Sequence, residues 1–155
     1  MVTDLERLFP RLQGANYQIT SPKEARYNCI AWAAGDTERW WEPSEKYYWP
    51  PGIPLCDSLD SYVQAFATLG YSPCSGDASE PGFEKIAIFV DSNGMPTHAT
   101  RQLVNGRWTS KLGQLEDIEH ALDDLVGEVY GKVGQILKRP QPAETSSGKD
   151  ETVVP

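Results

Sequence analysis

The chain has 155 residues, 22 acidic against 14 basic side chains, a formal net charge of −8, and 39% apolar residues. That is long enough for one domain with a real core, and the acidic balance excludes the basic footprint a nucleic-acid binder needs. No apolar run reaches the length of a membrane span, and Cys29, Cys56 and Cys74, without a CxxC pair, fit neither a zinc site nor a disulfide framework. A single Cys56–Cys74 bridge stays open, with Cys29 free. The first residues are acidic and polar, so no secretory leader is expected. The expectation is a cytoplasmic protein with reduced thiols, although an effector exported without a leader would read the same.

Thr3 to Phe9 reads as one or two helical turns, capped by Thr3 and stopped by Pro10. Residues 11–20 read as loop or extended chain. Ser21-Pro22-Lys23-Glu24 has the form of a capping box with proline at the first helical position. A short turn there and a fresh helix start at Asn28 is the expectation. Ile30, Ala31, Trp32, Ala33 and Ala34 are apolar nearly all round, so this helix is expected to be buried, and Gly35 ends it. Cys29 then lies in the first turn, at the positive end of the macrodipole, which favours thiolate and predicts a lowered pKa. A buried free cysteine acting only as a small hydrophobe is the structural alternative.

Residues 36–57 form a long irregular segment with Trp40, Trp41, Tyr47, Tyr48 and Trp49. So many aromatics argue against disorder and for a packed loop over the core, a wall of a substrate cleft, or both. Ser58 to Leu69 is the clearest helix, with Leu59, Tyr62, Val63, Phe66 and Leu69 at helical spacing and Gly70 at its end. Residues 71–83 are rich in Ser, Gly, Pro and Asp and read as loop.

The period then changes. Lys85 to Val90 reads as a strand apolar on both faces, hence central. Asn93-Gly94 and Asn105-Gly106 are turn signals that make strands 96–104 and 107–111 follow it as an antiparallel meander. Leu115 to Leu125 has the spacing of an amphipathic helix, with His120 beside Glu119 on its exposed side. Residues 129–138 read as a last strand. The domain is expected to span 1–139, with 140–155 a disordered acidic tail.

The chemistry-bearing pair is Cys29 with His98, a histidine near the start of a strand. An imidazole that takes the thiol proton and later protonates the leaving group is what cysteine nucleophiles require, and a third polar group orients the ring. A two-residue turn at Asn105-Gly106 would put Thr109 and Lys111 on the face of His98, whereas a one-residue bulge would put Ser110 there. Asp91 and Asp117 are further candidates. The oxyanion donors would be the Cys29 backbone N–H and a side chain such as Asn28 or Gln18, and Trp49 is the candidate substrate-wall residue. No metal or other cofactor is expected.

The stretches Tyr27-Asn28-Cys29-Ile30-Ala31-Trp32-Ala33, Pro81 to Ala87, Thr97-His98-Ala99-Thr100-Arg101-Gln102 and Trp108-Thr109-Ser110-Lys111-Leu112-Gly113 resemble an uncharacterised family of small bacterial proteins. The layout is similar to the papain-like superfamily, in particular its NlpC/P60 and CHAP members. That similarity implies an α+β papain-like domain, with N-terminal helices on an antiparallel sheet of about four to five strands. It also implies peptidase or amidase chemistry, with Cys29 and His98 matching by position and a third residue on strand 107–111, of which Ser110 is the choice. The expected function is therefore hydrolysis of an amide or isopeptide bond in a peptide or protein. The alternative is a non-enzymatic binding module, such as an immunity or toxin-partner protein, using the aromatic loop 40–51 as its interface.

Overall fold

The computed structural model describes residues 3–112 and 115–141. The 140–155 tail of the sequence reading falls outside them from residue 142 onward. The architecture is one antiparallel sheet of seven strands in the order β1-β6-β5-β4-β3-β7-β2. These are β1 (Gln18–Ser21), β2 (Ser72–Cys74), β3 (Phe83–Val90), β4 (Pro96–Gln102), β5 (Trp108–Lys111), β6 (Asp117–His120) and β7 (Lys132–Pro140). The helices are short: α1 (Asp4–Leu8), α2 (Cys29–Ala34), α3 (Leu59–Ala67), and single 3-10 turns at Pro10–Leu12 and Leu122–Leu125. No helix is long and apolar enough to cross a membrane among the described residues.

The sheet is covered on both faces. On one, Ile86, Ile88, Ala99 and Leu137 pack against α2, α3 and the aromatic loop through Ile30, Ala31, Trp41, Trp49, Tyr62 and Phe66. On the other, Ala87, Phe89, Trp108, Ile118 and Ile136 meet Leu5, Phe9, Leu12, Leu122 and Leu125 from α1 and the two 3-10 turns. β3 therefore has no solvent face, and Ile86 to Val90 are all buried. This is why its sequence is a continuous apolar run rather than an alternation.

The papain-like expectation, helices on a sheet of four to five strands, is overturned. Seven strands make the body of the molecule, and helices are minor on both sides. Residues 115–125 carry the correction. Leu115, Ile118, Leu122 and Leu125 have helical spacing, yet Asp117–His120 is strand β6, followed by the 3-10 turn. Both readings bury Ile118, Leu122 and Leu125, and pairing of β6 with β5 and β1 decides between them. β1 and β2 carry almost no apolar signal; their residues are mostly exposed and they lie at the two sheet edges.

The β4–β5 register takes the second of the two arrangements left open by the sequence. Arg101 pairs with Thr109 and Gln102 with Trp108. Leu103 N–H donates to Arg107 O at 2.7 Å, closing a three-residue loop with Gly106 at φ 87°. The one-residue shift turns every side chain of β5 over, placing Ser110 on the face of His98.

Candidate functional site

Asn28 starts α2 as foreseen, accepting from Ala31 N–H at 3.1 Å, and Gly35 ends it at φ 84°. Asn28 does more than cap. Its Oδ1 also accepts from Trp41 N–H at 3.0 Å, and its Nδ2 donates to Trp41 O at 2.7 Å, pinning the aromatic loop to the helix start. With its Oδ1 and one of its two Nδ2 hydrogens engaged, Asn28 anchors the loop to the helix start and keeps one N–H. Gln18 is exposed on β1, the edge strand three positions from β4.

Cys29 is the first residue of α2 and is half-buried. Its thiol is pushed up to about 11, the reverse of the helix-start expectation, because removal from water outweighs the stabilising groups. Those groups are the backbone N–H of Ala99, then of Ile30 and of Cys29 itself, and more weakly the charge of Lys111. A helix of six residues supplies only a short macrodipole.

His98 is fully buried on β4. It pairs across the ladder with Phe89, whose ring meets it edge-on at 5.5 Å, and Tyr130 lies flat over it at 4.0 Å and 6°. Since Ala99 faces α2, its neighbour His98 projects from the opposite face of the sheet. His98 Nε2 lies 3.0 Å from Ser110 Oγ, and its Nδ1 is buried without a hydrogen-bond partner among the described residues. Cys29 and His98 are thus brought to the same stretch of β4, the N–H of Ala99 facing the sulfur, but no hydrogen bond joins them. Burial holds His98 well below its ordinary value, helped by the proximity of His120, so at neutral pH both thiol and imidazole are uncharged.

His120 is the residue sequence reasoning missed. Read as an exposed helical side chain, it is fully buried on β6. Its Nε2 is 2.7 Å from Ser110 Oγ and its Nδ1 is 2.7 Å from Ala121 O. Burial lowers it to about 4, against the weaker upward pull of the Ala121 carbonyl and of Asp124. Thr100 completes the cluster, 2.7 Å from Ser110 and donating to Thr109 O at 2.8 Å.

The other third-residue candidates are occupied elsewhere. Thr109 accepts from Trp32 Nε1–H at 3.1 Å on the α2 face. Asp91 accepts from Asn93 and Met95 N–H within its own turn. Asp117 and Lys111 form a fully buried pair on the α2 face, with Nζ 3.9 Å from Oδ1. Asp117 Oδ2 accepts from Ser21 at 2.5 Å and from Tyr27 at 3.0 Å, and Lys111 Nζ donates to Leu115 O.

Trp49 is buried, donating to Pro54 O at 3.1 Å and packing edge-on against Tyr62 at 5.1 Å. Trp41 is buried beside it. Trp41 and Trp49 belong to the core, whereas Tyr47 is exposed and Trp40 half-buried. No cluster of three or more His, Cys, Asp or Glu suited to a metal ion occurs among the described residues.

A family model described as a domain of unknown function, DUF7689, matches residues 18–138, which takes in α2, α3 and every strand except the last two residues of β7. The chain belongs to that family. Neither the curated proteins nor the solved structures hold a match to it. The DUF7689 match covers Cys29, His98, Ser110 and His120 and leaves α1 outside.

Proposed function

We propose that this DUF7689 protein is a hydrolase of an amide or isopeptide bond in a peptide or protein, with Cys29 as nucleophile and His98 as general base and acid. One observation carries this. His98 Nδ1 is a buried nitrogen without a partner, on a ring whose other nitrogen is held by Ser110, one residue from the N–H that faces the Cys29 sulfur. Buried acceptors left unpaired are rare in native proteins, and a thiol that reached this nitrogen would supply the donor it lacks.

The neutral resting state makes the chemistry general-base rather than ion-pair in kind. The sulfur and the ring start on opposite faces of the sheet, so the reaction requires β4 to part from β5 beside Ala99, beyond the Arg101–Thr109 pair that ends their ladder, for Nδ1 to meet the thiol in the substrate complex. The sulfur bonds to the carbonyl carbon while its proton passes to Nδ1. The oxyanion is met by the N–H groups around the sulfur, those of Cys29, Ile30 and Ala99. The imidazolium returns the proton to the amine nitrogen as the C–N bond breaks. Water then adds to the thioester, losing a proton to Nδ1, and the acid leaves with the thiol restored.

The test uses p-nitrophenyl acetate and the Cys56→Ser/Cys74→Ser protein, whose one remaining thiol is Cys29. The expected result is an acetyl adduct on Cys29 by intact mass, absent in Cys29→Ser. Turnover falls about 10²-fold or more in His98→Ala. Absence of any adduct contradicts the proposal. A binding module working through the aromatic loop is the second reading. Within loop 40–51 it has Tyr47, 45% exposed, beside the half-buried Trp40 and Tyr48 as large contacts, and it predicts no acylation.

A further inference from the structure

β3 and β4 pair only as far as Ile86 opposite Arg101. Beyond that point β3 runs on to Phe83 paired with β7, while β4 stays with β5 and enters the turn at 103–107. The parting leaves a cavity of 390 Å³ between the two strands, within the range of small-molecule sites, about 300–1,000 Å³. Because it is a gap in the sheet, it is lined from both faces, by Glu84 and Arg101 from the α2 side and by Phe83 and Gln102 from the other. The chain is acidic, but cations outnumber carboxylates here. Glu84 accepts from Arg139 Nε at 2.7 Å, and Glu80 is shared by Lys85 Nζ at 2.9 Å and Lys138 Nζ at 3.1 Å. Both wall carboxylates are thus matched, and Arg101 is the cation left over. Among the described residues it forms no ion pair, and its guanidinium makes one hydrogen bond, from Nε to Trp32 O at 3.4 Å, with the Trp32 ring 5.2 Å away. Its terminal N–H groups are unspent. Gln102 gives its Nε2 hydrogens to Asp77 O at 2.8 Å and Gly106 O at 3.4 Å, which leaves its Oε1 as an acceptor.

We propose that the gap between β3 and β4 binds the carboxylate end of an acylated amino acid or peptide. Arg101 takes the carboxylate, Gln102 Oε1 accepts the adjacent amide N–H, and Phe83 and Leu103 flank an apolar side chain. The planar guanidinium offers a carboxylate two parallel N–H bonds. A phosphate dianion suits the site less, because Glu80 and Glu84 also line it and a second negative charge would sit against them. Cys29 is not on this wall, so the site stands whether or not that thiol is a nucleophile.

The experiment is NMR of the nitrogen-15 labelled full chain at neutral pH, following the Arg101 Nε–H and the backbone N–H of residues 102–104 as N-acetyl-leucine is added. These signals are expected to shift saturably, while the Nε–H of the exposed Arg7 and Arg26 stay still. N-acetyl-leucinamide, which has the same body without the charge, and inorganic phosphate are expected to leave them unmoved over the same range. In Arg101→Gln the backbone shifts are expected to vanish. Val104, 90% exposed at the mouth of the cavity, gives a variant that spares the packing. Val104→Asp is expected to bind about fivefold more weakly than Val104→Asn, the effect of one unit charge about 4 Å away in water. N-acetyl-glycyl-glycyl-leucine separates the two sources of the carboxylate: tighter binding than N-acetyl-leucine assigns a peptide end, equal binding a single acylated amino acid.

Equal shifts with N-acetyl-leucinamide or with phosphate overturn the proposal, as does an unsaturable drift shared with Arg7 and Arg26, or undiminished binding in Arg101→Gln. Should Arg101→Gln fail to fold by circular dichroism, the Val104 pair decides in its place, and equal affinity of the two Val104 variants overturns the proposal.

Discussion

Two histidines buried neutral make this protein sensitive to mild acid. Both have folded pKa values below the free value of about 6.5, His120 at about 4 and His98 well depressed. The unfolded chain therefore binds protons that the folded chain refuses as pH falls through that interval. Stability is full above pH 6.5 and declines toward pH 4, with a slope of about 1.4 kcal/mol per pH unit for each histidine. Urea midpoints between pH 7.5 and 4.5 measure this, and His120→Gln is expected to flatten the slope by one histidine. A second prediction concerns Lys111 and Asp117, both fully buried. Lys111→Met leaves the carboxylate in the core without its cation and is expected to destabilise by about 3–5 kcal/mol. Arg7→Ala, which removes an exposed pair with Asp4, is expected to cost under about 1 kcal/mol. Equal urea midpoints for the two variants would contradict this. At this scale the sequence made Cys29 and His98 stand out because cysteine and histidine are rare in the chain, and it offered the Ser110 position on the face of His98 through the turn register that the β4–β5 pairing adopts. It hid His120, since helical spacing at 115–125 put it on a solvated side. It also misjudged the Cys29 thiol, because desolvation depends on neighbours from distant strands.

Between single residues and the whole chain, α2 and the aromatic loop behave as one unit because Asn28 ties them. Asn28→Ala removes the cap and leaves the Trp41 N–H and carbonyl without their partners. The expected loss is about 3 kcal/mol, read by urea unfolding, together with a red-shifted tryptophan emission as Trp41 and Trp49 loosen. A loss confined to a few tenths would mean that the loop holds itself. β7 makes an equally specific demand. Gly131 lies at φ 80°, and a Cβ there would stand 2.0 Å from the Val90 carbonyl oxygen. Gly131→Ala is therefore expected to lower stability by several kcal/mol, whereas Gly52→Ala, also at positive φ but in open space, carries only the backbone strain. α2, α3 and the β3–β4–β5 meander were readable from capping residues, apolar runs and Asn-Gly turns. The strands β1, β2 and β6 were not. Edge strands three and four residues long need little apolar patterning, and the spacing of β6 and the turn after it imitates a helix.

Over the whole molecule, the sheet separates two polar clusters. The α2 face carries Cys29 and the Lys111–Asp117 pair, while the opposite face carries His98, Ser110 and His120 beneath Tyr130. Layer architecture of this kind is set by which short elements cover which face, and neither composition nor periodicity encodes that. This is why a papain-like layout could be read from motif order while the chain folds around seven strands. The most direct measurement is the iodoacetamide alkylation rate of Cys29 between pH 5 and 11 in the Cys56→Ser/Cys74→Ser protein, with and without His98→Ala, both checked by circular dichroism. Assistance from His98 predicts labelling at pH 7–8 well above that of an isolated thiol held at about 11, falling to that level in the variant. Superimposable profiles rising only toward pH 11 would make Cys29 a structural thiol and contradict the account.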